Sequence, residues 1–345
     1  MSSRWMHRLG RYYGWFRRPL LGGLAGLSAV LLLSSLFSAA SSSMPFVSLP
    51  KGEDSDAFSF IVYGDIQGNY QNGHQALVDR MLQEDAALIV NTGDISRDGG
   101  KHYQRDFYPI VRELAERIPY FPAVGNHDVA WGNASSRNRF LNFFHKTFDD
   151  LARREDNHHL RDPASQKLWY SFVHGNVLFI ILDSNLLIDE GRYRKTHGLE
   201  PYRDYLQEQL IWVRDLLNAS SHDPQIRAKF VFFHHSPFVS YERKSVPILG
   251  FGGHPGHSRM VVNQTVPSKQ PGETQYLLDL FRWHRVTAIF SGHEHFYERW
   301  REIIRDGDRP NHMLNWVVTG LGGVKPRGQP DYKEEKIDRL LEADG

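Results

Sequence analysis

The chain has 345 residues, of which 41% are hydrophobic and 13% aromatic, so it can bury a sizeable core and does not have the composition of a disordered polymer. It contains no cysteine, which excludes disulfides, thiolate nucleophiles and cysteine-ligated metals. The formal net charge of +1 combines five arginines and no acid in the first 40 residues with 36 basic and 40 acidic residues in the remainder. A mildly acidic body argues against nucleic acid as the default partner.

Residues 1–40 combine an arginine-rich lead with an uncharged apolar stretch, Leu20–Ala40. The stretch ends in Ser38-Ala39-Ala40, small residues suited to cleavage, so the segment is similar to an export signal. Its length also approaches the ~20 residues of a membrane helix, and a retained anchor with the arginines inside is an equal alternative. Arg17-Arg18 is similar to a twin-arginine export pair. Residues 41–56 are expected to form a linker after this segment. With either a cleaved signal or an anchor, the rest of the chain is expected outside the cytoplasm, in the periplasm or the extracellular space.

Three short apolar runs predict the first strands, at Phe58–Tyr63, Leu88–Asn91 and Phe121–Val124. The segments between them carry apolar residues at helical spacing, around Leu77–Leu82 and over Ile110–Ile118. Strands that alternate with helices are typical of β-α-β units, so we expect an α/β fold.

A polar, charged stretch over residues 131–162 follows, and we expect it to be a surface excursion near the functional site. The elements expected after it are a hairpin of Leu168–Phe172 and Val177–Asp183, a helix through Leu206–Leu217, a strand at Phe230–Phe233, a helix over Thr274–Trp283, and strands at Val286–Phe290 and Trp316–Thr319. Ser240–Gln270 is rich in Gly and Pro, and a loop of this length without regular structure is typical of a lid or flap.

Five of the predicted strands end in polar side chains that can bind metal. The five endings are Gly64-Asp65-Ile66-Gln67, Gly93-Asp94, Gly125-Asn126-His127-Asp128, His234-His235 and Gly292-His293-Glu294-His295. In open α/β sheets, binding sites form beyond the carboxyl ends of the strands, so these endings can converge on one crevice. His293 and His295 share a face if the backbone is extended. Taken alone, they would equally fit surface histidines in a chain that contains 18.

The side chains at these endings are carboxylates, imidazoles and amides, which suit Mn, Fe, Zn or Mg. Two such ions need a shared ligand, and a carboxylate can bridge ions about 3.5–4 Å apart. A pair of ions polarises a phosphoryl oxygen and makes a bound water acidic enough to attack near neutral pH. The pattern therefore favours metal-assisted hydrolysis.

This ordered set resembles the calcineurin-like metallophosphoesterases, and Gly292–Arg299 is especially similar to the purple acid phosphatase branch. The resemblance covers roughly residues 58–325 and implies a two-sheet β-sandwich flanked by helices. It implies two divalent or trivalent metal ions with Asp65 and His295 on one, Asp94 bridging, and Asn126, His234 and His293 on the other. The implied reaction is hydrolysis of a phosphate ester by in-line attack of a hydroxide held by both ions. His127 is implied to bind phosphate and to assist the leaving group.

Two positions depart from the family pattern. Gln67 stands where many members have a ligating histidine, so it is a candidate metal ligand through a weaker amide oxygen. Arg97 stands where purple acid phosphatases have the tyrosine responsible for their colour, and a colourless relative is expected. Arg97 is a candidate phosphate contact, or else a surface partner of Asp98 or Asp106.

Two more residues beside the ligands are candidates for supporting roles. Asp128 is expected to support the loop of Asn126. His235 follows His234 directly, and we weigh a contact with a metal ligand or substrate equally against simple packing.

The sequence thus predicts a signal or anchor at residues 1–40, a catalytic domain at residues 57–325 and a charged tail at residues 326–345, helical from Asp331 onward. The partner is a phosphorylated substrate of unknown type, with membrane association through residues 20–40 as a further expectation. The alternative is an exported domain in which metals brace a binding surface without catalysis. His127 favours catalysis, because a purely structural metal site needs no extra titratable group. A lactamase-type hydrolase is disfavoured, since its early His-x-His-x-Asp-His cluster is absent.

Overall fold

The computed structural model describes residues 43–49, 57–67, 70–129, 134–153, 167–188, 202–239, 260–261, 263–268, 273–305, 307 and 310–326. The chain divides after Ser42 into two units, and every described residue belongs to the second. The predicted signal or anchor and the predicted C-terminal helix therefore lie outside the described residues. Within them, no helix is both long enough and apolar enough to cross a membrane.

Eleven strands and six α-helices are assigned in the described part of the chain. The strands are β1 (Phe60–Tyr63), β2 (Leu88–Asn91), β3 (Tyr120–Pro122), β4 (Tyr170–His174), β5 (Val177–Ile181), β6 (Ala228–Phe232), β7 (Thr265–Val266), β8 (Gln275–Tyr276), β9 (Ala288–Ser291), β10 (Tyr297–Ile304) and β11 (His312–Thr319). The helices are α1 (Gln75–Met81), α2 (Tyr108–Arg117), α3 (Ala134–Phe143), α4 (His145–Arg153), α5 (Tyr202–Ser221) and α6 (Leu277–Trp283). A π-helical turn precedes α1 (Tyr70–His74) and α2 (Tyr103–Phe107), and a 3-10 turn, Ser184–Leu187, follows β5.

Two sheets pack face to face across a phenylalanine-rich core. The first is parallel in the order β1-β2-β3, and the second is mixed in the order β10-β11-β9-β6-β5-β4. Phe121 of the first sheet stacks on Phe172 of the second with ring centroids 4.0 Å apart, and Phe60 meets Phe179 edge to face at 5.3 Å. Burial of each such side chain contributes about 1.5–3 kcal/mol. The predicted two-sheet sandwich is confirmed.

Helices cover the outer faces of both sheets because strand residues alternate in direction. Leu88 and Val90 of β2 face the core between the sheets, whereas Ile89 packs outward in the cluster that includes α1, α2 and α3. On the other side, Leu210 of α5 and Phe281 of α6 pack in the cluster that covers the outer face of the six-stranded sheet.

Several predicted elements differ from those observed. Residues 134–153 are helical and not a mere surface excursion, because Phe140 and Phe144 bury their rings in the core while the polar majority faces outward. Part of the expected loop Ser240–Gln270 is strand β7, which pairs with β8 at the start of the expected helix Thr274–Trp283. Strand β10 was not predicted, because its outward side chains include charged residues and its period-2 pattern was not recognised.

Parallel pairing places the ligand-bearing strand ends together. β1 pairs with β2 in the first sheet, and β6 pairs with β9 in the second, so residues 64–67, 93–94, 234–235 and 292–295 follow strands that end at neighbouring positions. Backbone bonds join these loops within each sheet: the Asp65 N–H donates to the Gly93 carbonyl at 2.9 Å, and the Gly292 N–H to the His234 carbonyl at 3.0 Å.

Candidate metal centre

Backbone strain is concentrated at the predicted ligands. Among the described residues, only four other than glycine have positive φ, and three of them are Asp65 (+61°), Asp94 (+56°) and His293 (+69°). Such backbone costs energy and persists where the surroundings enforce it, commonly at functional sites. Gly93 (φ +98°) leads into Asp94, and a Cβ there would lie 2.7 Å from the Gly125 nitrogen, so only glycine fits between the two loops.

Asp65 and Asp94 are buried and tied to the other loops. The Oδ2 of Asp65 accepts the His293 N–H at 2.8 Å, which links the end of β1 to the end of β9. The Oδ1 of Asp94 accepts the His127 N–H at 2.8 Å, which links the end of β2 to the loop after β3. Each carboxylate thus has one oxygen that accepts a backbone N–H, while its other oxygen faces a histidine of the centre: Asp65 Oδ1 faces His295, and Asp94 Oδ2 faces His234.

Four atoms that can bind a cation converge at His234. Its Nδ1 donates to the Thr92 carbonyl at 2.9 Å, so in the neutral ring Nε2 carries the lone pair. That Nε2 lies 3.1 Å from Asn126 Oδ1, 3.3 Å from Asp94 Oδ2 and 3.2 Å from His293 Nδ1. Lone pairs this close and this buried repel unless a positive charge sits among them, so the donor set fits a metal ion.

The pKa shifts of His234 and Asp94 also indicate that positive charge is stabilised at this position. Burial lowers the pKa of His234, but the charge and hydrogen bond of Asp94 outweigh it and raise the pKa to about 9. Burial likewise acts to raise the pKa of Asp94, and His234 and His127 reverse the shift and hold it below its usual range. A proton on His234 therefore supplies the charge that a metal ion would supply.

A second group of ligand atoms adjoins the first through Asp94. The Nε2 of His295 lies 3.6 Å from Asp65 Oδ1, and ligand atoms of Asp65, Asp94 and His234 all lie within 4.8 Å of one another. Asp94 belongs to both groups, as a bridging carboxylate must. The structure thus brings together all six predicted ligands, and their roles as ligands stay predictions.

His127 lies at the rim of the centre, with its backbone and one ring nitrogen held. Its Nδ1 donates to the Arg97 carbonyl at 3.3 Å, and its own carbonyl accepts the Gly99 N–H at 2.8 Å. The other ring nitrogen, Nε2, is left for a ligand. The ring is partly exposed, as a substrate contact requires.

Asp128 holds together the loops that follow β2 and β3. Its carboxylate is buried and accepts the N–H groups of Ser96 at 2.8 Å and Gly125 at 2.9 Å, and the Tyr103 hydroxyl at 2.9 Å. Burial, together with the charge of Asp94, raises the pKa of Asp128 to about 6. The geometry agrees with the expected supporting role.

Gln67 reaches the centre through its amide nitrogen. The Nε2 of Gln67 donates to Asp94 Oδ2 at 2.8 Å, the same oxygen that faces His234. In this orientation Gln67 is a hydrogen-bond donor to the Asp94 carboxylate, and the amide nitrogen, not the amide oxygen expected as a ligand, faces Asp94.

Arg97 is exposed on the loop that follows Asp94. In the described part of the chain it forms no ion pair with the acids expected as its partners, because Asp98 pairs with His102 and Asp106 with Arg105. Its guanidinium is therefore available to an anion at the rim of the centre.

Ser184 is a site residue that was not predicted from the sequence. It is fully buried, and its Oγ accepts the N–H groups of His234 at 3.0 Å and His235 at 2.9 Å. The same oxygen lies 2.9 Å from Nδ1 of His235, whose buried ring lies 4.6 Å from that of His293, centroid to centroid. A sequence pattern could have identified Ser184, because Asp183-Ser184-Asn185 follows the apolar strand β5 in the same way as the predicted ligands follow their strands.

A family model described as calcineurin-like phosphoesterase matches residues 58–297. Two Arabidopsis thaliana proteins named probable inactive purple acid phosphatase 1 and probable inactive purple acid phosphatase 24 are similar to the chain. The first is 24% identical over 276 residues, which cover 76% of this chain and 38% of the relative. The second is 24% identical over 272 residues, which cover 74% and 38%. The chain thus spans little more than a third of the length of these curated relatives.

Among solved structures, the chain is similar to the purple acid phosphatase PPD1 from yellow lupin (Lupinus luteus) seeds. The sequence identity is 19% and the TM-score 0.49, over 82% of this chain and 47% of that one.

Proposed function

Because the chain belongs to the calcineurin-like phosphoesterase family, we propose that it hydrolyses phosphate esters at a two-metal centre. The proposed ligands are Asp65 and His295 for one ion, Asp94 for both, and Asn126, His234 and His293 for the other. The observation that carries the proposal is the convergence of Asn126 Oδ1, Asp94 Oδ2 and His293 Nδ1 within 3.3 Å of His234 Nε2.

The chemistry divides between the ions and the chain. Bound Mn, Fe, Zn or Mg ions would polarise the phosphoryl oxygen and lower the pKa of a water. The chain positions them, since Asp94 is held by the His127 backbone and His234 by the Thr92 carbonyl. The exposed guanidinium of Arg97 adds a cation with planar donor geometry for phosphate oxygens.

His127 is the proposed proton donor to the leaving oxygen. The carbonyl of Arg97 can only accept a hydrogen bond, so Nδ1 of His127 carries a proton in either protonation state. Nε2 then donates to a leaving group only when the ring is the imidazolium. A positioned acid of this kind contributes on the order of 10² to 10⁴ in rate.

The decisive experiment is elemental analysis of the purified protein combined with a panel of phosphomonoesters and phosphodiesters. We expect near-stoichiometric metal and hydrolysis that a chelator abolishes and added metal restores. Protein without metal and without metal-restorable activity would refute the proposal.

A second candidate is a metal-braced binding domain without catalysis, and the orientation of Gln67 favours it. With Gln67 as a hydrogen-bond donor, one ion keeps three protein ligands, Asp65, Asp94 and His295. An ion held by fewer ligands is more readily lost. Stoichiometric binding of one tight ion, with no turnover of any ester at saturating metal, would select this candidate.

We also propose that the domain works outside the cytoplasm, in the periplasm or extracellular space or on an anchor. The arginine-rich lead followed by Leu20–Ala40 supports export. Deletion of residues 1–40 should leave a soluble, folded and active protein that stays in the cytoplasm. An insoluble product would instead indicate that the apolar stretch belongs to the fold.

A further inference from the structure

One hydroxyl, that of Ser184, contacts three groups of the adjacent histidines His234 and His235. Ser184 begins the turn after β5, the neighbour of β6 in the sheet, and is fully buried. Its Oγ lies 3.0 Å from the His234 nitrogen, 2.9 Å from the His235 nitrogen and 2.9 Å from His235 Nδ1. Because these contacts are buried, their donors and acceptors must match.

Only one assignment of protons satisfies all three contacts. A serine hydroxyl has two lone pairs and one proton. The two backbone N–H groups can only donate, so they use both lone pairs of Ser184. The hydroxyl proton then goes to His235 Nδ1, which must be the acceptor. A neutral His235 therefore carries its proton on Nε2.

His234 is held in the opposite tautomer. In the neutral ring, Nδ1 donates to the Thr92 carbonyl, so Nε2 has the lone pair, and this nitrogen faces Asp94 and Asn126. By distance alone, the ligand atoms of His234, His235 and His293 would also fit one metal ion, since all lie within 4.8 Å of one another. Proton assignment separates the two neighbours, because a nitrogen that carries a proton cannot ligate a metal.

We propose that Ser184 is the positioning residue of the histidine pair: it holds both backbone N–H groups and keeps His235 in the Nε2–H tautomer, so that only His234 offers a lone pair to a metal. This inference rests on the proposed metal centre. His235 is then a hydrogen-bond donor next to the centre, and the end of β6 is pinned by a residue from a different strand end. Partners of this kind, which orient metal ligands, commonly change metal affinity by 10- to 100-fold when removed.

The first test is the tautomer of His235 in the metal-free full chain, read from side-chain ¹⁵N–¹H correlation spectra and assigned with His235→Gln. We expect the Nε2–H pattern in the wild type and loss of that single pattern in Ser184→Ala. Ser236→Ala is the matched control, because Ser236 is also buried but its hydroxyl donates to the Phe238 carbonyl at 2.7 Å. A wild-type His235 protonated at Nδ1 would overturn the proposal.

The second test is zinc affinity, measured by competition with a chromophoric chelator. His234→Gln should abolish binding at one site, His235→Gln should leave the affinity near the wild-type value, and Ser184→Ala should weaken it about 10- to 100-fold. Equal loss in His234→Gln and His235→Gln would make His235 a ligand and the inference wrong, even if Ser184→Ala does not fold. A wild type that binds no zinc would refute the proposed function, whereas the metal-free spectra would still decide the role of Ser184.

Discussion

Asp94 and Asp128 are buried aspartates of two adjacent loops, those after β2 and β3, and their substitution by asparagine should differ in its effect on metal binding and stability. Asp94 has one oxygen toward the His127 backbone and the other toward His234. Asn keeps the first contact but removes the charge and the oxygen that both ions would share. We expect Asp94→Asn to lose both ions.

Asp128→Asn should keep the ions and lose stability. Three good hydrogen bonds end on its carboxylate, from Ser96, Tyr103 and Gly125. An amide nitrogen in place of one oxygen faces a donor, and a buried donor without an acceptor costs about 1–3 kcal/mol. For domains somewhat smaller than this one, each kcal/mol corresponds to about 2–4 °C in melting temperature.

The assay combines elemental analysis after gel filtration with thermal unfolding with and without added metal. In the wild type, metal at 100 times its dissociation constant raises the free energy of unfolding by about 2.7 kcal/mol. Asp128→Asn should have a lower free energy of unfolding without metal but the same rise when metal is added. Asp94→Asn should lose that rise. Equal metal loss in the two variants, or normal metal content in Asp94→Asn, would refute the ligand assignment.

Three further predictions concern other residues. Gln67→His should slow the release of one ion to a chelator, because imidazole replaces a donor that faces Asp94 at 2.8 Å; faster release would mean that the local backbone differs from the family's. His127→Ala should keep its metal and lower kcat/KM by on the order of 10² to 10⁴ for alkyl phosphates but far less for nitrophenyl phosphate, since nitrophenolate leaves without a proton; equal losses would leave His127 only a binding role. Burial lowers the pKa of His74 to about 3, below its unfolded value of 6.5, so the unfolded chain binds more protons and the free energy of unfolding should fall by about 2 kcal/mol between neutral pH and pH 5. His74→Phe should flatten this acid slope in denaturant titrations, and an unchanged slope would assign it to other groups.

The sequence by itself determined which atoms could form the centre and in what order the chain presents them. Asp65, Asp94, Asn126 and His234 each follow shortly after an apolar run, and parallel strands bring such endings to one edge. The two-sheet sandwich followed from the family resemblance. These properties are local, since the position of a polar residue after an apolar run can be read from the sequence without knowing which groups it meets.

Tertiary structure alone decided what the polar side chains do once they are buried. Helices α3 and α4 were hidden in a polar stretch, because a few rings such as Phe140 and Phe144 suffice to bury one face. The amide of Gln67 turned out to donate to Asp94, and Ser184 to hold both neighbouring histidines. Whether a hydroxyl or an amide accepts, donates or ligates depends on which donors and acceptors surround it across tens of residues of sequence, and only packing brings those groups together.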